Sequence, residues 1–286
     1  MCIRDSAFTM FDHFFGAGGR IFDSAFIYNN GMGDKFLGKW MSSRGVQGEV
    51  IVIGKAAHTP HCEPKFIRPQ IIESLERLQT TQLDIFCLHR DNPEVPVSEF
   101  VDALTEVKNE GLIDLIGASN WEFHRFSEAR DYALISGRES FTVLSNNFSL
   151  AEMIEPVWPG CVGVTDQYLN YLIEQEVMLF PWSSQARGFF IKQKEVMSID
   201  HFSNPNLDEE IRVWHHEKNL KRRQACFDIA EEKNVQPIQI ALAYVLHKSH
   251  LIFPLIGPRT VFETNSSIQA SQINLTSKEL QALAQD

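Results

Sequence analysis

Hydrophobic residues gather in short continuous runs that alternate with longer segments of helical spacing. The runs cover residues 21–25, 50–54, 83–89, 112–117, 141–144, 177–182 and 251–257. Runs without polar alternation predict strands that are buried on both faces, as in parallel sheets. Between them, apolar residues recur at helical intervals, most clearly over 69–78, 97–109, 220–233 and 238–247. This alternation predicts an α/β fold in which helices connect parallel strands.

The number of predicted strands bears on the choice between a closed barrel and an open sheet. A (β/α)8 TIM barrel needs eight strands and about 250 residues. The 286 residues suit one such barrel, but only seven strands are predicted, and a helical segment at 7–16 precedes the first. We therefore expect a single barrel domain over 7–286 that lacks its first strand, behind a non-native leader at 1–6. The alternative is an open doubly wound sheet, complete as it stands.

Composition excludes several classes of function. Hydrophobic types make up 44% of the chain, and the net charge is −11 without a basic run. An acidic chain of this kind is a poor candidate for binding nucleic acid or an anionic membrane surface. No apolar run approaches the roughly 20 residues of a membrane-spanning helix. The five cysteines form no C-x-x-C pair, which favours a reducing, cytoplasmic location.

Two motifs that suggest ligand sites have simpler interpretations. The glycines at 16–19 follow a helix and precede a strand, which is the reverse of a Rossmann dinucleotide loop. They predict a helix end and a turn. His58, His61 and Cys62 have the spacing H-x-x-H-C, which fits no common zinc site. We therefore predict loop residues there and no metal.

Titratable residues close three successive predicted strands. Asp23 ends the first, with Tyr28 in the loop after it, Lys55 ends the second, and His89 ends the third. In a barrel the carboxyl ends of the strands form the catalytic face. An ammonium group favours the tyrosinate and so lowers a tyrosine pKa, and histidine donates hydrogen bonds to carbonyl oxygens. The set suits proton donation to a carbonyl that accepts hydride from a cofactor.

These residues belong to motifs that resemble the aldo/keto reductase superfamily. FDSAFIY, VIGK, CLHRDNP, IGASNW, FPWSSQARGFF and PLIGPRT follow one another in the order of that family. The resemblance implies a barrel that binds NADP(H) or NAD(H) without a Rossmann domain. It implies that Tyr28 is the general acid, that Asp23 and Lys55 tune it, and that His89 orients the carbonyl.

The same resemblance implies a cofactor site spread over several motifs. Ser119, Asn120 and Ser145 match positions that bind the nicotinamide carboxamide, and Trp182 matches the aromatic residue that stacks on the ring. Ser183, Gln185 and Arg187 match the loop beside the pyrophosphate. Gly257, Arg259, Thr260 and Glu263 match the segment around the adenosine 2′-phosphate.

Two positions depart from the pattern of the family. Ser145 stands where many members have glutamine. Glu263 would repel a 2′-phosphate, whereas Arg259 would bind it, so NADP(H) is favoured and NAD(H) stays possible. Phe26 and Trp121 are candidates for the substrate pocket. They suggest a small carbonyl compound or a sugar-like substrate.

Two other functions stay open at this stage. A Schiff-base lyase would use Lys55 as its nucleophile, which requires a largely neutral amine. A non-catalytic regulatory module would bind the cofactor without turnover, and the four strand-end residues are compatible with it.

Overall fold

The computed structural model of the protein describes residues 3–191 and 207–285. The chain divides into two compact units. The first comprises Met1–Ser145 and Glu174–Met178, and the second comprises Asn146–Ile173 and Leu179–Asp286. That residues 7–286 form one domain, and that residues 1–6 are a non-native leader, stay predictions. The first helix already begins at Ile3.

Helices and strands alternate through the first unit, and helices dominate the second. The α-helices of the described residues are α1 (Ile3–Gly16), α2 (Met32–Arg44), α3 (Ile67–Leu78), α4 (Val97–Asn109), α5 (Phe123–Ser136), α6 (Asp166–Glu174), α7 (Leu207–Trp214), α8 (Glu217–Lys233), α9 (Pro237–Leu246), α10 (Val261–Ala270) and α11 (Ser277–Leu283). The strands are β1 (Ile21–Asp23), β2 (Ile51–Ala56), β3 (Leu83–Leu88), β4 (Ile113–Ala118), β5 (Val143–Leu144) and β6 (Met178–Leu179).

The central strands are buried as the continuous apolar runs predict. In β2 and β3, Ile53, Ile85 and Phe86 are almost fully buried. Ile53 pairs with Ile85 in parallel register, and Lys55 pairs with Cys87. Burial of this apolar surface stabilises the unit by about 25 cal/mol per Å² removed from water. The charged Lys55 lies near the carboxyl end of β2, whereas Asp84 lies near the amino end of β3 and accepts a hydrogen bond from the amide of Val52 at 2.8 Å.

The order of the strands in the sheet distinguishes the predicted barrel from the open doubly wound sheet. The strands lie side by side in chain order, β1 to β6, and the paired registers from β1 to β5 are all parallel. A barrel wall keeps chain order, whereas a doubly wound sheet reverses it at a switch point. The observed order therefore agrees with the predicted (β/α)8 barrel class and not with the open sheet.

The predicted strand over 251–257 is shorter than expected. Only an isolated parallel bridge forms, between Leu179 and Ile252. The amides of Phe253 and Leu255 still donate to Leu179 and Pro181, at 2.8 and 3.0 Å. Pro254 lies between these two donors and has no N–H, so it cannot donate to a strand on the opposite side.

The last helix begins where its sequence predicts. Thr276 caps α11 and accepts a hydrogen bond from the amide of Glu279, while the Glu279 carboxylate accepts one from the amide of Thr276. This reciprocal pair is the capping box that the T-S-K-E sequence indicates.

Candidate active site

Parallel pairing brings the titratable strand-end residues of the first unit together. Asp23 is the last residue of β1, Lys55 lies near the end of β2, and His89 directly follows β3. The amides of Ser24 and Phe26 donate to the carbonyls of Ile53 and Lys55, both at 2.8 Å, which ties the loop after β1 to β2. The predicted cluster therefore forms, at the carboxyl edge of the strands.

Lys55 is the centre of this cluster, and its ammonium group is fully engaged. Only 3% of its surface is exposed. Nζ donates to the Asp23 carboxylate in a short ion pair, to the carbonyl of Ser24 at 3.2 Å and to the hydroxyl of Tyr28 at 3.4 Å. Burial lowers the pKa of Lys55, but Asp23, Tyr28 and Cys87 together raise it by more, so the pKa lies above its ordinary value. The group is therefore an ammonium ion at neutral pH.

Tyr28 presents its hydroxyl to this ammonium group. Nζ of Lys55 also lies 5.1 Å from the centre of the tyrosine ring. Although 37% of Tyr28 is exposed, burial of the hydroxyl raises its pKa, and the charge of Lys55 only partly opposes this. The net direction is opposite to the lowering expected from Lys55 alone, because loss of solvent outweighs one favourable charge.

His89 lies between two other rings. Its ring centre is 5.7 Å from that of Tyr28 and 4.8 Å from that of His58, both edge-on. Burial, together with the charges of Lys55, His58 and Arg90, lowers the pKa of His89 well below its ordinary value, so the ring is neutral. Nδ1 is buried and has no hydrogen-bond partner among the described residues.

His58 belongs to this group although its sequence context did not reveal it. The sequence predicted a loop residue there and no metal. In the structure Nδ1 of His58 lies 2.9 Å from the carbonyl oxygen of Thr59, and the ring reaches His89. The available signal was its position three residues after Lys55. Among the described residues no three His, Cys, Asp or Glu side chains form an arrangement that would hold a metal ion.

The three residues predicted to bind a carboxamide form a second group in the first unit. Ser119 Oγ donates to the carbonyl of Ser145 at 2.6 Å, and Asn120 Nδ2 donates to Ser119 Oγ at 2.9 Å. Asn120 has a left-handed φ of 59° and also lies 3.4 Å from the carbonyl of His89. Ser145 Oγ is fully buried without a partner in the described part of the chain. An unsatisfied hydroxyl in this place fits a missing polar ligand.

The two residues predicted to line a substrate pocket differ in their surroundings. Phe26 is half-buried, and the guanidinium group of Arg77 lies 4.4 Å from its ring centre. Trp121 is fully buried, and its ring packs edge-on against Phe100 and Phe141. Trp121 therefore packs inside the unit rather than facing solvent.

In the second unit, residues 182–187 form a loop with unusual backbone geometry. Ser183, Ala186 and Arg187 have φ values of 50°, 47° and 51°. Ser184 Oγ donates to the carbonyl of Leu255 at 2.8 Å, which holds the loop. Such left-handed conformations cost about 1–3 kcal/mol each and concentrate at functional sites.

The side chains of this loop have distinct partners. Arg187 pairs with Glu209 at 2.8 Å, and Gln185 accepts a hydrogen bond from Ser267 at 3.4 Å. Trp182 lies 6.3 Å from Trp158, ring centre to ring centre. Its Nε1 is buried and lacks a hydrogen-bond partner within the described ranges. Trp182 and Gln185 are thus held in place, while Arg187 is already engaged by a carboxylate.

The segment predicted to surround a 2′-phosphate forms the start of α10. Thr260 caps the helix and accepts from the amide of Glu263 at 3.2 Å. The Glu263 carboxylate in turn accepts from the amide of Arg259 at 2.5 Å. Gly257, Arg259 and Thr260 are exposed. The Glu263 carboxylate, which the sequence predicts to repel phosphate, therefore bonds to the backbone at the start of its own helix. The Arg259 side chain is exposed at the surface.

Comparison with known proteins finds a family model and relatives that span nearly the whole chain. The sequence model of the Aldo/keto reductase family matches residues 3–285. Norsolorinic acid reductase B of Aspergillus parasiticus is 26% identical over 298 residues, which cover 99% of this chain and 74% of the relative. An aryl-alcohol dehydrogenase (NADP+) of Phanerodontia chrysosporium is 23% identical, over 98% of this chain and 75% of its own.

A solved structure shows the same fold. A thermostable aldo-keto reductase in complex with the inhibitor epalrestat superposes with a TM-score of 0.75 at 20% identity, covering 98% of this chain and 87% of the other. None of the described helices is long and apolar enough to cross a membrane. The family match extends over nearly the whole chain, and the names of the relatives support oxidoreductase chemistry. The chain belongs to the aldo/keto reductase family.

Proposed function

We propose that the protein is an NADP(H)-dependent carbonyl reductase that converts an aldehyde or ketone into an alcohol, reversibly. The observation that carries the proposal is the triple contact of the Lys55 ammonium group with Asp23, Ser24 and Tyr28, beside a neutral His89. A buried cation next to a phenol favours proton release from that phenol at the moment when an oxyanion forms nearby.

Each residue of the cluster has a separate role in this reaction. Tyr28 donates its hydroxyl proton to the carbonyl oxygen, and Lys55 stabilises the tyrosinate that remains. Asp23 keeps Lys55 charged and in place. His89, held neutral by its surroundings, orients the carbonyl. A nicotinamide cofactor would supply the hydride, which none of these side chains carries.

The residues present fit a nicotinamide cofactor. In the first unit, Ser119, Asn120 and the unsatisfied Ser145 hydroxyl would bind the carboxamide. Taken by itself, the second unit offers the aromatic ring of Trp182 and the loop at 183–187, whose residue types suit a nucleotide cofactor. Helix α10 presents exposed Arg259 and Thr260 at its start, where the helix dipole favours a phosphate.

NADP(H) is proposed over NAD(H) because of how the start of α10 is arranged. Arg259 supplies a guanidinium group suited to phosphate, and Glu263 is bonded to a backbone amide. The relative from Phanerodontia chrysosporium is named for NADP+. NAD(H) remains the alternative, since a free carboxylate would accept the ribose hydroxyls.

An aryl aldehyde or ketone is the proposed substrate class. Its support is the half-exposed ring of Phe26 beside Tyr28, together with the names of relatives that act as aryl-alcohol dehydrogenase and norsolorinic acid reductase. Sugar-like carbonyl compounds are the second candidate class. A cytoplasmic location stays a prediction.

The raised pKa of Lys55 argues against the Schiff-base alternative. A lyase would need the amine neutral at working pH, and Lys55 is held as an ammonium ion by Asp23. A cofactor-binding module without turnover differs from the proposal only in its kinetics, so turnover decides between them.

The test is oxidation of NADPH with a panel of benzaldehydes and small sugars. We expect turnover with wild-type protein, and a loss of about 10²–10⁴-fold in Tyr28→Phe, the usual contribution of a general acid. NADPH affinity, measured by quenching of tryptophan fluorescence, stays within about twofold because the ring is retained. Tyr171→Phe, which replaces a tyrosine of α6, is the matched control.

Three results would contradict the proposal. Retained turnover in Tyr28→Phe would remove the role of Tyr28. Tight NADPH binding without turnover across the panel would favour the non-catalytic module. A carbonyl substrate trapped on Lys55 by borohydride would favour the lyase.

A further inference from the structure

The loop that carries Tyr28 is strained where it leaves the tyrosine. Residues 29, 30 and 31 all have left-handed φ values, of 47°, 54° and 81°. Two of them are asparagines, for which this conformation is unfavourable although tolerated. The loop makes tight turns on itself, with the amides of Gly31 and Gly33 donating to the carbonyl of Tyr28 at 3.1 and 3.2 Å. A strained loop keeps one conformation only when surrounding groups hold it.

Arg77 of α3 is one of those groups. Its Nη1 donates to the carbonyl of Phe26 at 2.9 Å, and its Cζ lies over the Phe26 ring, 4.4 Å from the ring centre. It also passes directly over Gly31, where an added Cβ would lie 2.5 Å from Cζ of Arg77. Arg77 thus contacts the loop both before Tyr28 and after it.

A buried carboxylate beside Arg77 supports the same loop. Asp34, in the first turn of α2, is 1% exposed. It accepts hydrogen bonds from Ser24 Oγ, at the start of the loop, and from Ser74 Oγ of α3 at 2.9 Å. Arg77 Nη1 lies 4.0 Å from the same carboxylate. Helices α2 and α3 are therefore linked to both ends of the loop through charged groups.

We propose that Arg77 is a positioning residue that holds the Tyr28 hydroxyl against Lys55 by fixing Phe26 and Gly31. It touches neither Lys55 nor the tyrosine hydroxyl, and acts only through the loop. The hydroxyl is 3.4 Å from Nζ of Lys55, so a small displacement of the loop breaks that contact. The kinetic part of this proposal rests on the proposed role of Tyr28.

The chain offers matched variants for a test. Arg77→Ala removes every contact with the loop. Arg77→Lys keeps the charge and the stem but lacks the planar fork that both stacks on Phe26 and reaches its carbonyl. Glu73→Gln removes the carboxylate that pairs with Arg77 at the surface and leaves the contacts with the loop unchanged. The Glu73 variant therefore controls for loss of an ion pair.

The first measurement is hydrogen exchange of the peptide that covers residues 24–33, which needs no activity. We expect at least about tenfold faster exchange there in Arg77→Ala and Arg77→Lys than in wild type or Glu73→Gln, because the loop loses its external support. Unchanged exchange in Arg77→Lys would overturn the proposal. Because hydrogen exchange does not depend on turnover, this measurement tests whether Arg77 positions the loop even if the protein proves not to be a reductase.

The second measurement is turnover. In both Arg77 variants we expect kcat to fall by about 10–100-fold, the effect of a misplacement near 1 Å, with NADPH affinity unchanged. Millimolar guanidinium ion should restore part of kcat in Arg77→Ala and none in Tyr28→Phe. Wild-type kcat in a folded Arg77→Lys enzyme would overturn the proposal, as would equal loss of kcat and NADPH affinity, which would indicate general disorder.

Discussion

The two units hold their candidate functional groups in different ways. In the first, the charged groups are buried at strand ends: Lys55 and His89 are 3% and 7% exposed, and Lys55 is bonded to three partners. In the second, Arg187 and Arg259 are exposed, in a loop and at a helix start. Backbone turns and caps shape these segments, through Thr260 and through the left-handed residues of the loop.

This difference matches two physical requirements. Proton transfer needs groups whose pKa values are shifted and whose positions are fixed, and burial among charges provides both. Recognition of a phosphate needs accessible donors with a positive potential, which an arginine and the amides of a helix start provide at the surface. The difference therefore fits the proposed roles, with proton transfer in the first unit and phosphate recognition in the second.

Removal of the buried Lys55 ammonium group should have the largest effect on activity and stability. We expect Lys55→Met to lose turnover by at least about 10²-fold and to lower the free energy of unfolding by about 3 kcal/mol, because Asp23 is left without its partner. Lys108→Met is the control, since Lys108 pairs with Glu139 at the surface and such pairs contribute about 0–1 kcal/mol. Denaturant titration and NADPH oxidation measure the two effects. Similar destabilisation in both variants would break the contrast between buried and surface charge.

The next test is the dependence of the free energy of unfolding on pH that His89 is expected to cause. Because the pKa of His89 is lowered in the folded state, the unfolded chain binds a proton first as pH falls below about 6.5. Above that pH, His89 leaves the free energy of unfolding unchanged. Below it, the free energy of unfolding falls by up to about 1.4 kcal/mol per pH unit. His89→Gln should lose this dependence. Parallel curves of unfolding free energy against pH for the two proteins would contradict a buried neutral ring.

A smaller effect is expected from the exposed arginine of the second unit. Arg259→Ala should weaken NADPH binding by about 10–100-fold, the range for a hydrogen bond to a charged group, and leave NADH binding unchanged. Fluorescence titration with both cofactors measures this selectivity. Arg212→Ala, which removes a surface arginine that pairs with Glu155, controls for the overall loss of positive charge. An equal loss of affinity for NADPH and for NADH would show that Arg259 does not bind the 2′-phosphate.

The smallest effect should come from Glu263. Glu263→Gln keeps an acceptor for the amide of Arg259 but removes the negative charge, so we expect NADPH affinity to rise a few-fold. The stability of the protein should fall by about 0.3–1 kcal/mol, the value of an acidic group near a helix start. Thermal unfolding and NADPH titration test these together. Weaker NADPH binding would mean that the carboxylate takes part in cofactor recognition.

Local sequence patterns predicted the strands from β1 to β4 and the capping of α11 well. Continuous apolar runs indicate strands in a parallel sheet wherever both faces are buried, and a capping box needs only residues three positions apart. Residues 251–257 show the limit of this approach. The run is apolar enough for a strand and its amides at Phe253 and Leu255 bond to residues 179 and 181, yet it forms an isolated bridge and no regular strand.

The sequence by itself determined the fold class, the family and the placement of Asp23, Lys55 and His89 at strand ends, because these follow from periodicity and from motifs read along the chain. Only the tertiary structure decided the net direction of the Tyr28 pKa and the contact of His58 with His89. It alone brought Arg77, far along the chain, into contact with the loop of Tyr28. These properties depend on distance and burial between residues that are remote in sequence, and no local pattern records them.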